Sequence, residues 1–302
     1  FFQAEDGIRA VERSRGLGDV YKRQEQASLD LYSKALFYEP KDIYLEQLNI
    51  FDNRKIYANV SLASYIKTDK RPFWLKSFFN SLSSFYIHYF LKPKFKKFGK
   101  GVMILKPQYL KTYGKNITIG NFATLICSSD KNIDLATWQT DKLNGELQIG
   151  KYVLISPGTS IRVAKKVIID DSVMIASDVT ITDSDWHGIY DRTDYVATPK
   201  PVIINKNAWI GERSLILKGS EIGENSIIGA GSVVSGVVPP NVVYAGNPAK
   251  KVKELDKSDF KSREQLFSES SSYLSDMIKI DKKTLEGNTF LKWLFSIIWP
   301  RK

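Results

Sequence analysis

Ile204 to Lys253 reads INKNAWIGERSLILKGSEIGENSIIGAGSVVSGVVPPNVVYAGNPAKKVK, and its spacing decides the fold. Counting in sixes from Ile204 gives Ile210, Ile216, Ile222, Ile228 and Val234, all β-branched and aliphatic. Four residues after each of these six positions stand Ala208, Ser214, Ser220, Ser226, Ser232 and Val238, all but the last Ala or Ser. Glycine follows the aliphatic residue at Gly211, Gly223 and Gly229. A period of six is neither the 3.6 of an α-helix nor the alternation of a half-buried strand. It describes a short strand and a tight turn, repeated, and three such sides close one triangular coil. The aliphatic residue fills the coil, and the small residue lets the chain turn beside it. Stacked coils pair their strands in parallel around a continuous aliphatic column. Asn207, Gly219 and Asn225 suit the left-handed backbone that such corners need. A β-sandwich would instead alternate polar and apolar positions between irregularly spaced turns.

The same spacing runs upstream through Ile149-Gly150, Ile155, Ile161 and Val167. A slip of two resets it to Ile169, Ile175 and Ile181, with Val173 and Val179 at the small position. Ile119-Gly120 and Ala123 are an earlier trace. The chain is therefore read as four segments: 1–24, a helical region 25–97, a repeat domain 98–253 and a helical, basic extension 254–302. The fold class is mainly β with helical flanks.

Between Ile181 and Ile204 the period breaks into TDSDWHGIYDRTDYVATPKPVI. This is too long for a corner, and long irregular loops on a rigid scaffold tend to be functional. It carries His187, the one histidine of the repeat region. Imidazole titrates in the range needed to take a proton from a hydroxyl at neutral pH. Asp183 and Asp185 are candidates to hold its ring. The residues alone leave open an exposed loop histidine with no chemistry.

Ala208-Trp209-Ile210-Gly211, Ile228-Gly229-Ala230-Gly231-Ser232, Pro239-Pro240-Asn241-Val242 and Gly246-Asn247-Pro248-Ala249-Lys250 stand in an order and spacing that resemble the hexapeptide-repeat acyltransferases. The resemblance covers about half the chain. Its nearest branches are the galactoside and maltose O-acetyltransferases and the capsule or O-antigen acetyltransferases. It implies a left-handed parallel β-helix, against the usual hand of crossovers, and a homotrimer with active sites between subunits. It implies acetyl-CoA as acyl donor and a sugar or surface-glycan precursor as acceptor, with His187 as base. It places Trp209, Gly211, Ala230, Ser235, Lys250, Lys251 and Lys253 at the cofactor, the lysines facing its phosphates. Gly236 and Glu212 depart from the galactoside pattern, which touches the detail of those contacts. Gly229-Ala230-Gly231 has no strand–turn–helix around it and is not a nucleotide fingerprint.

The 302 residues are 43% hydrophobic and 25% charged, which excludes a wholly disordered or collagen-like chain. One cysteine, Cys127, excludes an intrachain disulfide. Following Thr124-Leu125-Ile126, it reads as core packing rather than as the nucleophile of an acyl-enzyme. A zinc carbonic anhydrase of this fold needs three histidine ligands, two of them from one subunit, and a repeat region with His187 alone cannot supply two; His88 lies outside it, and no metal is expected. The net charge of +11 fits an anionic partner. Charge alone does not make a nucleic-acid face, and none is expected.

Residues 1–24 resemble translated sequencing-adapter read-through and are expected to stand outside the native fold, the true start being missing. Without them the charge is +10. Glu25 to Phe51 reads as short helices broken at Pro40. Phe73 to Leu91, FWLKSFFNSLSSFYIHYFL, is read as a helix, with His88 in it, that caps the open end of the β-helix with its aromatic face. Contact with a membrane surface is the rival reading of this segment, and of Phe290 to Lys302, since aromatics beside lysines suit that interface. A cytoplasmic enzyme, peripheral at the inner membrane at most, is expected. An antibiotic-modifying O-acetyltransferase and a non-catalytic scaffold are the competing functions. Serine acetylation is disfavoured by the helical flank.

Overall fold

The computed structural model describes residues 69–194, 198–256, 260–268 and 272–298. The expectations for 1–24 and for Glu25 to Phe51 lie outside the described residues. The chain divides into two compact units, Phe73–Lys283 and Phe1–Pro72 with Thr284–Lys302.

The larger unit is a left-handed parallel β-helix. Its strands form three flat sheets of seven, eight and six. A representative coil runs Lys166–Ile169, Met174–Ile175 and Thr180–Thr182, one strand per sheet. Each strand pairs in parallel with its equivalents one coil before and after, as Val167 does with Leu147 and Val202. The last strand, Lys250–Glu254, turns back antiparallel on Val242–Ala245 and closes that sheet.

The six-step series forms the column it predicts. Ile204, Ile210, Ile216, Ile222 and Ile228 are fully buried, and Val234 nearly so. Upstream, Ile149, Ile155, Ile161, Val167, Ile169, Ile175 and Ile181 continue it. Each such side chain contributes on the order of 1.5–3 kcal/mol by leaving water. The serines do more than keep the corner small. Ser214 Oγ donates to Gly229 O at 3.0 Å, Ser220 Oγ to Val234 O at 3.1 Å and Ser226 Oγ to Pro239 O at 2.6 Å. Each hydroxyl ties a buried corner to the following coil, where a bare carbonyl would be costly.

One corner repeats a left-handed residue in coil after coil: Phe122, Tyr152, Ser172, Asn207, Asn225 and Asn241, all with φ between 58° and 61°. Asn tolerates this backbone, and the three asparagines also form a ladder. Asn207 Nδ2 donates to Asn225 Oδ1 at 2.9 Å, and Asn225 Nδ2 to Asn241 Oδ1 at 3.0 Å. Phe122 and Tyr152 gain instead by stacking, 5.7 Å apart and parallel to within 2°. Phe267 of the C-terminal extension stacks on both. Beside it the half-buried Arg263 donates through Nε to Tyr152 O at 2.8 Å. The segment Arg263–Phe267 thus lies along this corner.

At the other end of the column the helix Phe73–Tyr86 runs into a π-turn, Ile87–Leu91, and a 3₁₀ turn, Lys92–Lys94. Leu91 and Phe95 enter the core, and Tyr86 and Ile87 pack against it. The cap is therefore the end of the helical segment, not its aromatic face. Phe78, Leu82, Phe85, Tyr89 and Phe90 are exposed, a correction to the sequence reading. His88 stands exposed in the π-turn. In the smaller unit, Asn288 Nδ2 donates to the carbonyls of Asp69 and Arg71 at 3.1 and 3.0 Å. No helix among the described residues is long and apolar enough to cross a membrane.

Candidate active site

Two excursions leave the β-helix at one and the same corner. The first, between the strands Ile133–Thr137 and Glu146–Ile149, holds Trp138; the second, between Thr180–Thr182 and Val202–Ile204, holds Trp186 and His187. They meet through their tryptophans, whose rings lie 4.5 Å apart. Trp138 also meets Tyr113 at 5.7 Å. Trp186 is set by its own backbone at φ 66° and by Nε1 donating to Thr182 Oγ1 at 3.1 Å. The sequence reading missed the first excursion. Its signal was the gap between the traces at Ile119 and Ile149.

His187 is exposed, and its Nδ1 faces the carbonyl oxygen of Arg192 at 3.2 Å. A carbonyl can only accept, so Nδ1 is the donor, and in the neutral imidazole this tautomer makes Nε2 the basic nitrogen. The turn that places Arg192 O is braced from within. Gly188 N donates to Asp194 O at 2.8 Å, and Arg192 Nη1 donates to Gly188 O and Ile189 O at 2.9 and 2.7 Å. A side chain at Gly188 would fall 2.5 Å from Asp191 O.

Neither carboxylate expected on the imidazole is found there. Asp183 is fully buried and its oxygens take the backbone N–H groups of Ala164, Lys165 and Lys166, each at 2.7 Å. Burial pushes its carboxyl above the ordinary range, and the three donors pull the other way. Its own carbonyl accepts from Lys200 N at 2.9 Å. Asp183 therefore fastens both roots of the loop to the coil. Asp185 is exposed and pairs with Lys218 one coil on. The ring's partner is instead a main-chain oxygen, which no side-chain pattern could reveal.

The remaining candidates are spread over the triangle. Trp209 lies on the eight-stranded sheet, in register with Ile227, which pairs with Val243, which pairs with Lys253. Lys250 and Lys251 stand on the same closing strand, opposite Ala245 and Tyr244. Lys251 is engaged by Glu254 at 2.6 Å. Ala230 is exposed at the corner that ends the strand Ile227–Ile228, whereas Ser235 is exposed at the corner of His187, further along the helix. Gly211 has a structural duty: a Cβ there would sit 2.6 Å from Ala230 N and from Ile228 O. One chain thus presents the histidine and the basic strand on different sides of the coil. Cys127 is buried, and burial pushes its thiol up to about 11, as suits packing. Among the described residues no cluster of His, Cys, Asp or Glu could hold a metal ion.

Fold and site together define a hexapeptide-repeat β-helix protein with a histidine on its long corner loop. Residues 201–236 match the family described as bacterial transferase hexapeptide (six repeats), and the chain carries that family's repeat. The chain is similar to WbbJ of Escherichia coli (strain K12), whose name assigns it to O-acetyl transfer in lipopolysaccharide biosynthesis. They are 34% identical over 121 residues, 36% of this chain and 58% of the relative. It is 40% identical over 95 residues to the galactoside O-acetyltransferase of the same organism, 31% of this chain and 46% of the relative. It is 29% identical over 220 residues to the serine acetyltransferase of Buchnera aphidicola, 72% of this chain and 74% of the relative. The chain spans about half the length of the first two.

Proposed function

We propose that the chain is an acetyl-CoA-dependent O-acetyltransferase whose acceptor is a hydroxyl of a sugar or surface-glycan precursor. The observation that carries this reading is the exposed His187, with Nδ1 on Arg192 O and Nε2 left without a partner in that contact. Nε2 takes the proton of the acceptor hydroxyl as its oxygen attacks the thioester carbonyl. The tetrahedral oxyanion is met by a backbone N–H or a water. It collapses with cleavage of the C–S bond, and the CoA sulfur takes the proton from the imidazolium. Lys250 and Lys253, on the exposed closing strand, suit the cofactor's phosphates. The sites are completed between copies in a homotrimer, because one chain holds base and basic strand on different sides. The names of the relatives support acetyl transfer to oxygen. The reading is tested by following thiol release from acetyl-CoA across a panel of sugars, with serine and antibiotic acceptors as comparison. Release that depends on a sugar and yields its acetyl ester is expected. Release with serine or an antibiotic alone would replace the acceptor class, and none with any acceptor would favour a scaffold.

A further inference from the structure

The helix Phe73–Tyr86 carries an apolar stripe that nothing in its own compact unit covers. Phe78, Leu82, Phe85 and Tyr89 follow one another at helical spacing, and they are 54%, 48%, 54% and 61% exposed. Phe85 and Tyr89 meet at 4.4 Å with their planes tilted by 38°, and Phe90 meets Phe85 edge-on at 6.4 Å, so the rings adjoin one another. A neighbouring exposed face of the helix is serine and asparagine: Ser77, Asn80, Ser81 and Ser84. Two of these hydroxyls, of Ser81 and Ser84, donate back to carbonyls of their own helix. A water-exposed helix with so many rings on one face is costly unless a further apolar phase receives it.

The chemistry at its foot is cationic. Lys92 and Lys94 follow directly, and Lys94, Lys96 and Lys115 line a cleft of about 570 Å³ with Thr112 and Asn116. The carboxylate ion-paired to these lysines among the described residues is Glu146, 3.8 Å from Lys96. We infer that this end of the β-helix docks on an anionic lipid surface, the helix lying in the interface and the lysine cleft receiving phosphate headgroups. Aromatic side chains and neighbouring lysines are what an interfacial helix requires. At 14 residues the helix is about 21 Å long, too short to span. A second copy of the chain is a poorer occupant, since symmetric pairing of the stripe would bring the same lysines together. The inference is independent of the acetyl-transfer reading.

The test is sedimentation of the full chain with vesicles of phosphatidylcholine alone and of phosphatidylcholine mixed equally with phosphatidylglycerol. The protein should pellet with the anionic vesicles and remain in solution with the neutral ones. Lys92→Gln/Lys94→Gln/Lys115→Gln should weaken partitioning by about a hundredfold, each lysine near the surface giving roughly fivefold. Phe78→Glu/Phe85→Glu should abolish it. Both sets of side chains are exposed, so unchanged melting would certify the fold. Three outcomes would overturn the inference: no pelleting of the parent protein with the anionic vesicles, equal pelleting with the neutral ones, or pelleting untouched by Phe78→Glu/Phe85→Glu.

Discussion

The imidazole of His187 meets a main-chain oxygen, and that contact decides which nitrogen is free to act. Replacing His187 by Ala should lower sugar-dependent turnover about 10²–10⁴-fold while leaving CoA affinity nearly unchanged, read by turnover and calorimetric titration. Asp183→Ala should act differently. It leaves three N–H donors at a buried corner without an acceptor, so stability should fall by about 3 kcal/mol or more in chemical denaturation. Turnover should fall with it as the loop roots loosen. Asp183→Asn should restore part of the loss, because its one amide oxygen can take the N–H groups of Lys165 and Lys166 while its NH₂ faces Ala164 N. Cys127 gives a third expectation. Its thiol is raised from 9.0 to about 11, so a thiol reagent at pH 8 should label it only after unfolding. Between pH 9 and 11 the unfolded chain gives up this proton first. Stability should therefore decline there relative to Cys127→Ala. His187 was legible as a candidate at this scale because a lone histidine interrupts a repeat. The work of Asp183 was not, because a carboxylate beside a histidine reads as its partner until backbone donors are seen to claim it.

Among the elements, the repeat strands were legible because a triangular cross-section gives each side one inward position. Ile204 to Val234 could point nowhere else. The corners were legible in part. Asn207 and Asn225 announce left-handed backbone, whereas Phe122 and Tyr152 do so only once Phe267 is known to stack on them. The Phe73–Tyr86 helix shows the opposite limit: spacing reveals that it has an apolar face, not what that face meets. Glycine separates two requirements. At Gly150 a Cβ would lie 2.7 Å from the backbone of Asp170 and Asp171, so Gly150→Ala must push coils apart. At Gly231, with φ 68°, no atom stands within 4 Å, so Gly231→Ala pays only for its backbone. Denaturant titration should find the first change worse by about 1–3 kcal/mol, against about 1–2 kcal/mol for the second alone.

For the whole molecule, the separation of His187 from the closing strand predicts assembly. Sedimentation equilibrium should give three times the 34.3 kDa chain mass, and a monomer with full turnover would contradict the shared site. The stacking has a mechanical consequence as well. Each strand bonds only to the coils directly before and after it, so a force applied at the C-terminal end meets the coils one at a time, as in other quasi-one-dimensional folds. Once Arg263 and Phe267 have left the corner of Phe122 and Tyr152, the exposed closing strand should peel away, and with it the coil beneath. The coil from Val202 to Glu221 would then release roughly 65 Å of chain, and the one from Lys166 to Val202, with its long excursion, about 120 Å. Stretched singly, the protein would unravel as a ratchet with uneven teeth, its longest step marking the loop of His187.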